Sequence, residues 1–178
     1  CTVVIEFVPT STGLAADTID FQYNDGSATV NTTRAIQGTG AAAANITISE
    51  VDPYDFGSVT VNGTTTHAFT ISNTGGVSAT TVGGSGLVAP FSFLGGSYPG
   101  TGGTCGATLA NGASCTIVVE FAPLAAAGSS DTIEINYNDG ASAQTSPRDI
   151  QGTGIAPAFL GISETDPYNF GLIANGGT

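Results

Sequence analysis

The sequence predicts an all-β fold, a run of two-layered antiparallel sandwiches. Three observations carry that prediction. The composition favours short strands and turns, apolar residues alternate with a period of two, and the chain repeats itself at an offset of 114 residues.

Composition comes first. Glycine occurs 26 times in 178 residues, and Thr, Ser, Val, Ile and Ala fill most of the remainder. Such a chain suits strands joined by many turns better than helices. Hydrophobic residues make up 40%, enough for a packed core. Charge is sparse and one-sided: 14 acidic residues stand against Arg34 and Arg148, with no lysine, for a net charge of −12. That balance repels nucleic acid and anionic membranes and excludes the function classes that need a basic surface. No run of about 18 apolar residues, the length of a membrane-spanning helix, is present.

The repeat sets the domain organisation. CTVVIEFVP from Cys1 returns as CTIVVEFAP from Cys115, and DTIDFQYNDG from Asp17 returns as DTIEINYNDG from Asp131. RAIQGTG from Arg34 matches RDIQGTG from Arg148, and ISEVDPYDFG from Ile48 matches ISETDPYNFG from Ile162. The correspondence runs without a gap to Thr178, with about half the overlapping positions identical. A unit of about 114 residues is a common β-sandwich size. One complete unit is expected over residues 44–157, the back part of a preceding unit over 1–43, and the front part of a following unit over 158–178. On this reading the natural chain continues in both directions.

Alternation places strands within the unit. Cys115, Ile117, Val119 and Phe121 share one face of a strand, as Cys1, Val3, Ile5 and Phe7 do in the earlier copy. Ile133, Ile135 and Tyr137 share a face of the next strand, matched by Ile19, Phe21 and Tyr23. One buried and one wet face marks antiparallel sheets. Asn138-Asp139-Gly140 and Asn24-Asp25-Gly26 follow directly, and all three residue types tolerate the positive φ of tight hairpins. Further strands are expected near 45–49, 56–61, 65–73, 77–82, 87–94 and 145–151. Seven or eight such strands predict an immunoglobulin-like Greek-key sandwich. The short junctions after Gln37 and Gln151 predict units in head-to-tail series.

Cys105 and Cys115 lie ten residues apart around a turn-like stretch, and a hairpin there would bring them within disulfide reach. Two buried thiols or a metal site are the alternatives, though two cysteines and one distant His make a poor zinc site. Cys1 is equivalent to Cys115, so its partner is expected before residue 1. A disulfide places the chain in an oxidising compartment, outside the cytosol.

Phe56–Gly76, Tyr98–Pro123 and the closing RDIQGTG resemble the bacterial choice-of-anchor D family, whose repeats are related to the ASPM/SPD-2/Hydin domains. The resemblance covers the whole unit and returns in both partial units. It implies an immunoglobulin-like fold in large, repetitive, exported bacterial proteins, and no catalytic residues.

The residues themselves offer little chemistry. His67 is the sole histidine and sits in a strand, with no nucleophile paired to it. The glycine-rich Tyr98–Gly106 stretch lacks the lysine of a phosphate loop. Calcium is the ligand worth weighing, because it takes six to eight oxygen ligands. Glu50, Asp52 and Asp55 are expected to meet Asp25 of the preceding unit at a junction, with Glu164, Asp166 and Asp139 recreating the site one unit later. Against it, Asp-Pro-Tyr is ordinary turn chemistry, and Asp55 becomes Asn169 in the second copy. Asn31, Asn45 and Asn62 open N-glycosylation sequons. Lys–Asn isopeptide bonds are excluded by the missing lysine. The reading is a non-catalytic structural module of an extracellular or surface fibre, stalk or layer, whose partners are copies of itself. The alternative is an adhesin or carbohydrate-binding module for surface glycans, with Tyr98, Pro99 and Tyr54 or Tyr168 as an aromatic platform.

Overall fold

The computed structural model describes residues 1–177; Thr178, the last position of the sequence repeat, lies outside the described residues. Eleven strands run in order: β1 Gly13–Asn24, β2 Thr29–Gly40, β3 Ile46–Ile48, β4 Tyr54–Thr60, β5 Thr65–Asn73, β6 Ala79–Ser85, β7 Phe91–Phe93, β8 Thr108–Leu109, β9 Ser114–Phe121, β10 Gly128–Asn138 and β11 Ala143–Ile155. The unit expected over 44–157 contains β3 to β11 as two sheets, ordered β4-β11-β10-β6-β8 and β3-β5-β9-β7.

The core lies between those sheets. Alternation sends Phe69 and Ile71 of β5 and Ile117, Val119 and Phe121 of β9 inward, against Ile133, Ile135 and Tyr137 of β10 and Ile150 of β11. Seven of these nine are fully excluded from solvent. Burying a side chain of this size is worth roughly 1.5–3 kcal/mol. The first strand of the sandwich is split. β3 pairs antiparallel with β5, and after Pro53 the chain crosses to the other sheet, where β4 pairs parallel with β11. Gly57, at φ +74°, carries the bulge that shifts register along β4.

The segments before and after the complete unit, 1–43 and 158–177, behave differently. β1 and β2 form an isolated hairpin whose register reproduces that of β10 and β11: Ile19 faces Arg34 as Ile133 faces Arg148. Residues 1–7 form no strand, although their alternation matches β9. β9 is held between β5 and β7, and no corresponding strands flank residues 1–7. Residues 158–177 likewise form no strand.

One strand was not expected from the sequence, and two expectations are corrected. β8, two residues against Ala79 and Thr80, has too little alternation to be seen in sequence. The strand expected over 87–94 shrinks to β7, because the chain turns at Ala89-Pro90. In the two hairpin turns only Gly26 and Gly140 take positive φ. The aspartates work as acceptors instead: Asp25 Oδ1 takes the N–H groups of Ser27 and Ala28, and Asp139 Oδ1 those of Ala141 and Ser142.

Candidate functional site

The densest polar cluster is the crossover between β3 and β4, where Glu50, Asp52, Tyr54, Asp55, His67 and Arg148 converge. Arg148 reaches across from β11 and donates from Nη2 to the Ile48 carbonyl at 2.6 Å, with Nη1 3.9 Å from Asp52. Asp52 accepts the Asp149 N–H at 3.0 Å. Asp55 accepts the Gly57 N–H at 2.7 Å and the Gln151 amide at 3.2 Å. Glu50, at φ +76°, lies 3.5 Å from His67 Nε2. The His67 ring stacks on Tyr54 at 4.2 Å and meets Phe69 edge-on at 4.8 Å. Burial, reinforced by the Glu50 and Asp55 charges, pushes the Tyr54 hydroxyl above its ordinary pKa. Each of these acidic groups therefore faces a partner from β5, β11 or its own turn. The cluster clasps a strand that changes sheets, and it presents neither an activated nucleophile nor an open acid–base pair.

The structure does not bring the expected calcium ligands together. β1 pairs with β2 so that Asn24 faces Thr29 while Gly13 faces Gly40. Asp25 thus sits at the far end of a twelve-residue hairpin from the linker at Gly40, on the order of 40 Å at about 3.3 Å per residue. Asp139 precedes β11, and Glu164 and Asp166 follow it in the C-terminal segment. Among the described residues no group of three or more His, Cys, Asp or Glu side chains is arranged to hold a metal ion. What lies at the entrance of the complete unit is Asp139 itself, whose carbonyl accepts the Ala44 N–H of the linker at 2.9 Å. Its carboxylate is buried and already takes two backbone N–H groups and the Gln144 amide. Those N–H groups, Ser142 first and Ala141 next, hold its pKa below the ordinary carboxylate value, as Ala28 and Ser27 do for Asp25.

Cys105 and Cys115 form a disulfide, with Cα atoms 4.9 Å apart. It fastens the glycine-rich stretch along β9 beyond the end of β7. There Leu94 and Cys105 donate to the carbonyls of Val118 and Thr116, and Val118 donates to that of Pro99. The stretch covers a strand edge that would otherwise be open. Cys1 is free and exposed. The proposed aromatic platform is dispersed: Tyr54 lies on β4, while Tyr98 packs edge-on against Phe93 at 5.7 Å, over β6, three strands away. Burial raises the Tyr98 pKa. Tyr168 is half exposed in the C-terminal segment. Asn31, Asn45 and Asn62 are all exposed; the Asn45 amide donates to Thr74 Oγ1, and Asn62 takes φ +66° in the turn after β4.

Sequence reasoning missed the clasp role of Arg148. The signal was available, since the only two cations, Arg34 and Arg148, occupy equivalent repeat positions. It also missed why QGTG recurs. A Cβ on Gly152 would lie 2.6 Å from the Phe121 ring, and one on Gly38 would lie 2.8 Å from Phe7. The glycine lets an aromatic ring lie flat on the backbone of its hairpin.

A family model described as HYDIN/CFA65/VesB-like, Ig-like domain matches residues 47–153. The VesB protease of Vibrio cholerae superimposes with a TM-score of 0.50 at 20% identity, over 61% of this chain and 31% of that one. A protein of unknown function from Porphyromonas gingivalis W83 gives 0.49 at 12% identity, over 81% and 67%. The ASH / PapD-like domain 7 of human CEP192 gives 0.47 at 13%, over 65% and 89%. No curated protein matches. The match to VesB is one of fold and spans less than a third of that chain, so the protease activity in its name stays with that protein.

Proposed function

The chain belongs to the HYDIN/CFA65/VesB-like Ig-like domain family, and from that premise we propose that it is a structural repeat module of a large secreted or cell-surface bacterial protein that forms a fibre, stalk or surface layer. The observation that carries this reading is the repeat: the hairpins β1–β2 and β10–β11 are written twice at a constant offset and pair in the same register. A unit that recurs in series and closes its own core serves as a building element. The polar cluster at the crossover supports the same reading, because its groups are engaged in holding β4 to the sandwich. The disulfide supports an oxidising, extracellular setting. The choice-of-anchor D resemblance of the Cys105–Pro123 stretch fits such an exported array.

Electron microscopy of the native protein tests the proposal. Beaded rods are expected, with a spacing of about 40 Å per unit, the length of a twelve-residue strand. Compact single particles with no axial repeat would overturn it.

A further inference from the structure

The chain enters and leaves the complete unit at opposite ends of one pair of parallel strands. From this we infer that the unit is a load-bearing element, in which tension along the series is carried in shear between β4 and β11, braced by the crossover clasp. The inference rests on the serial-module reading and deepens it by giving the series a mechanical role. β11 runs from Ala143 to Ile155, roughly 43 Å at about 3.3 Å per residue. The entering linker lies at its start, where the Ala44 N–H bonds to the Asp139 carbonyl. β4 runs beside β11 in the same direction, from Tyr54 facing Ile150 to Thr60 facing Ile155. The chain departs beyond Ile155, at the far end.

Pulling the linker back and the exit forward therefore slides β4 against β11 along their common axis. The bonds of a parallel ladder are evenly spaced, so sliding strains them together instead of opening one first. Side chains add to the same interface. Arg148 Nη2 donates to the Ile48 carbonyl at 2.6 Å, Asp52 accepts the Asp149 N–H at 3.0 Å, and the Gln151 amide donates to Asp55 at 3.2 Å. All three bonds join the incoming chain to β11. A brace of this kind accounts for a crossover that gathers many polar groups and offers neither an activated nucleophile nor an open acid–base pair.

The load also arrives without slack. The Gly76 N–H bonds to the Ala42 carbonyl at 3.1 Å, and the Thr74 N–H to that of Asn45 at 2.8 Å. A Cβ on Gly75 would run into the Ala43 oxygen, so the linker sits in a cradle that glycine keeps open. β2 ends at Gly40, which leaves Ala41 alone between the preceding hairpin and the seated linker. At the exit the Val61 N–H bonds to the Ile155 carbonyl at 2.9 Å and closes the far end of the strand pair. Tension applied to the chain on either side thus reaches β4 and β11 directly.

Single-molecule pulling on the full chain tests this. In one geometry the protein is held by Cys1, which is free and exposed, and by Gly177→Cys, so that β4 and β11 are loaded in shear. In the other it is held by Thr64→Cys, at an exposed position, and Gly177→Cys, with Cys1→Ser, which peels β4 from its Thr60 end bond by bond. At one constant force the complete unit is expected to rupture roughly tenfold more slowly in the first geometry, because forced unfolding follows the unfolding barrier. Arg148→Met should speed rupture about tenfold in the first geometry and leave the second nearly unchanged. Asp52→Ala changes a side chain that is 54% exposed, so the unit still folds, and it should also act in the first geometry alone. Equal rupture rates in the two geometries, or variants that speed both alike, would overturn the inference. Rods whose units rupture equally fast in both directions would leave the serial-module reading standing. Compact particles with no axial repeat would overturn both.

Discussion

The hairpins β1–β2 and β10–β11 pair their residues in the same register, yet Phe121 is fully buried while its equivalent Phe7 is 49% exposed. Tyr137 is buried and Tyr23 is 52% exposed. The difference lies in what faces them. Phe121 and Phe7 both lie on a hairpin glycine, but β9, which carries Phe121, is flanked by β5 and β7, whereas among the described residues no strand flanks Phe7. Tyr137 has the sheet β3-β5-β9-β7 across its face, whereas Tyr23 has none. Hairpin register and turn shape are local properties that survive without a core. Burial is not, because it needs strands tens of residues away. The segments around Ile48 and Ile162 teach the same lesson: Ile48 is 6% exposed beside β5, and Ile162, in a nearly identical stretch, is 92% exposed.

Truncations in equivalent positions should break the comparison most sharply. Phe121→Ala removes a fully buried ring and should cost the complete unit about 3–5 kcal/mol. Phe7→Ala should move the main thermal transition by less than about 0.5 kcal/mol. Equal costs, read by chemical denaturation, would mean that residues 1–43 share the core of the complete unit.

The cysteines give the next largest contrast. Opening the Cys105–Cys115 bridge by replacing both with Ala should cost about 2–3 kcal/mol, the loop-closure entropy of a bridge spanning ten residues. Cys1→Ser should leave the transition unchanged. The arginines follow. Arg148→Met leaves the Ile48 carbonyl and Asp52 without their charged partner and should cost about 1.5–3 kcal/mol. Arg34→Met should be neutral in dilute, unassociated protein.

The smallest contrast concerns pH. Backbone N–H groups lower the Asp139 pKa below 3.8, so its contribution is fully present above that value and fades as pH falls through the lower, folded one. The melting temperature should therefore drop on acidification below about pH 4, and Asp139→Asn should blunt that drop. Asp25 is shifted the same way but belongs to the exposed hairpin. Asp25→Asn should leave the melting profile unchanged while speeding amide exchange at Ser27 and Ala28, whose N–H groups it accepts.

Much of the fold was legible. The faces of β9 and β10 followed from alternation, because a pleated strand with one buried side must place every second residue inward. The disulfide was one of three open readings of the two cysteines until the glycine-rich stretch was seen lying along β9. The candidate site was far less legible. The calcium grouping could not be judged from sequence, because adjacency to a linker says nothing about which end of a long hairpin a turn occupies. Arg148 was overlooked because its acceptor, Ile48, is a hundred residues away in the chain.

The sequence by itself determined the repeat, the strand faces, the hairpin register and the turn chemistry, since all are fixed by neighbouring residues and the geometry of the backbone. The tertiary structure alone decided that the first strand splits between two sheets, that Arg148 clasps the crossover, and that the inward faces of β9 and β10 close on one core. A strand exists only when another strand takes up its hydrogen bonds, and the supplier of that partner is a question of space.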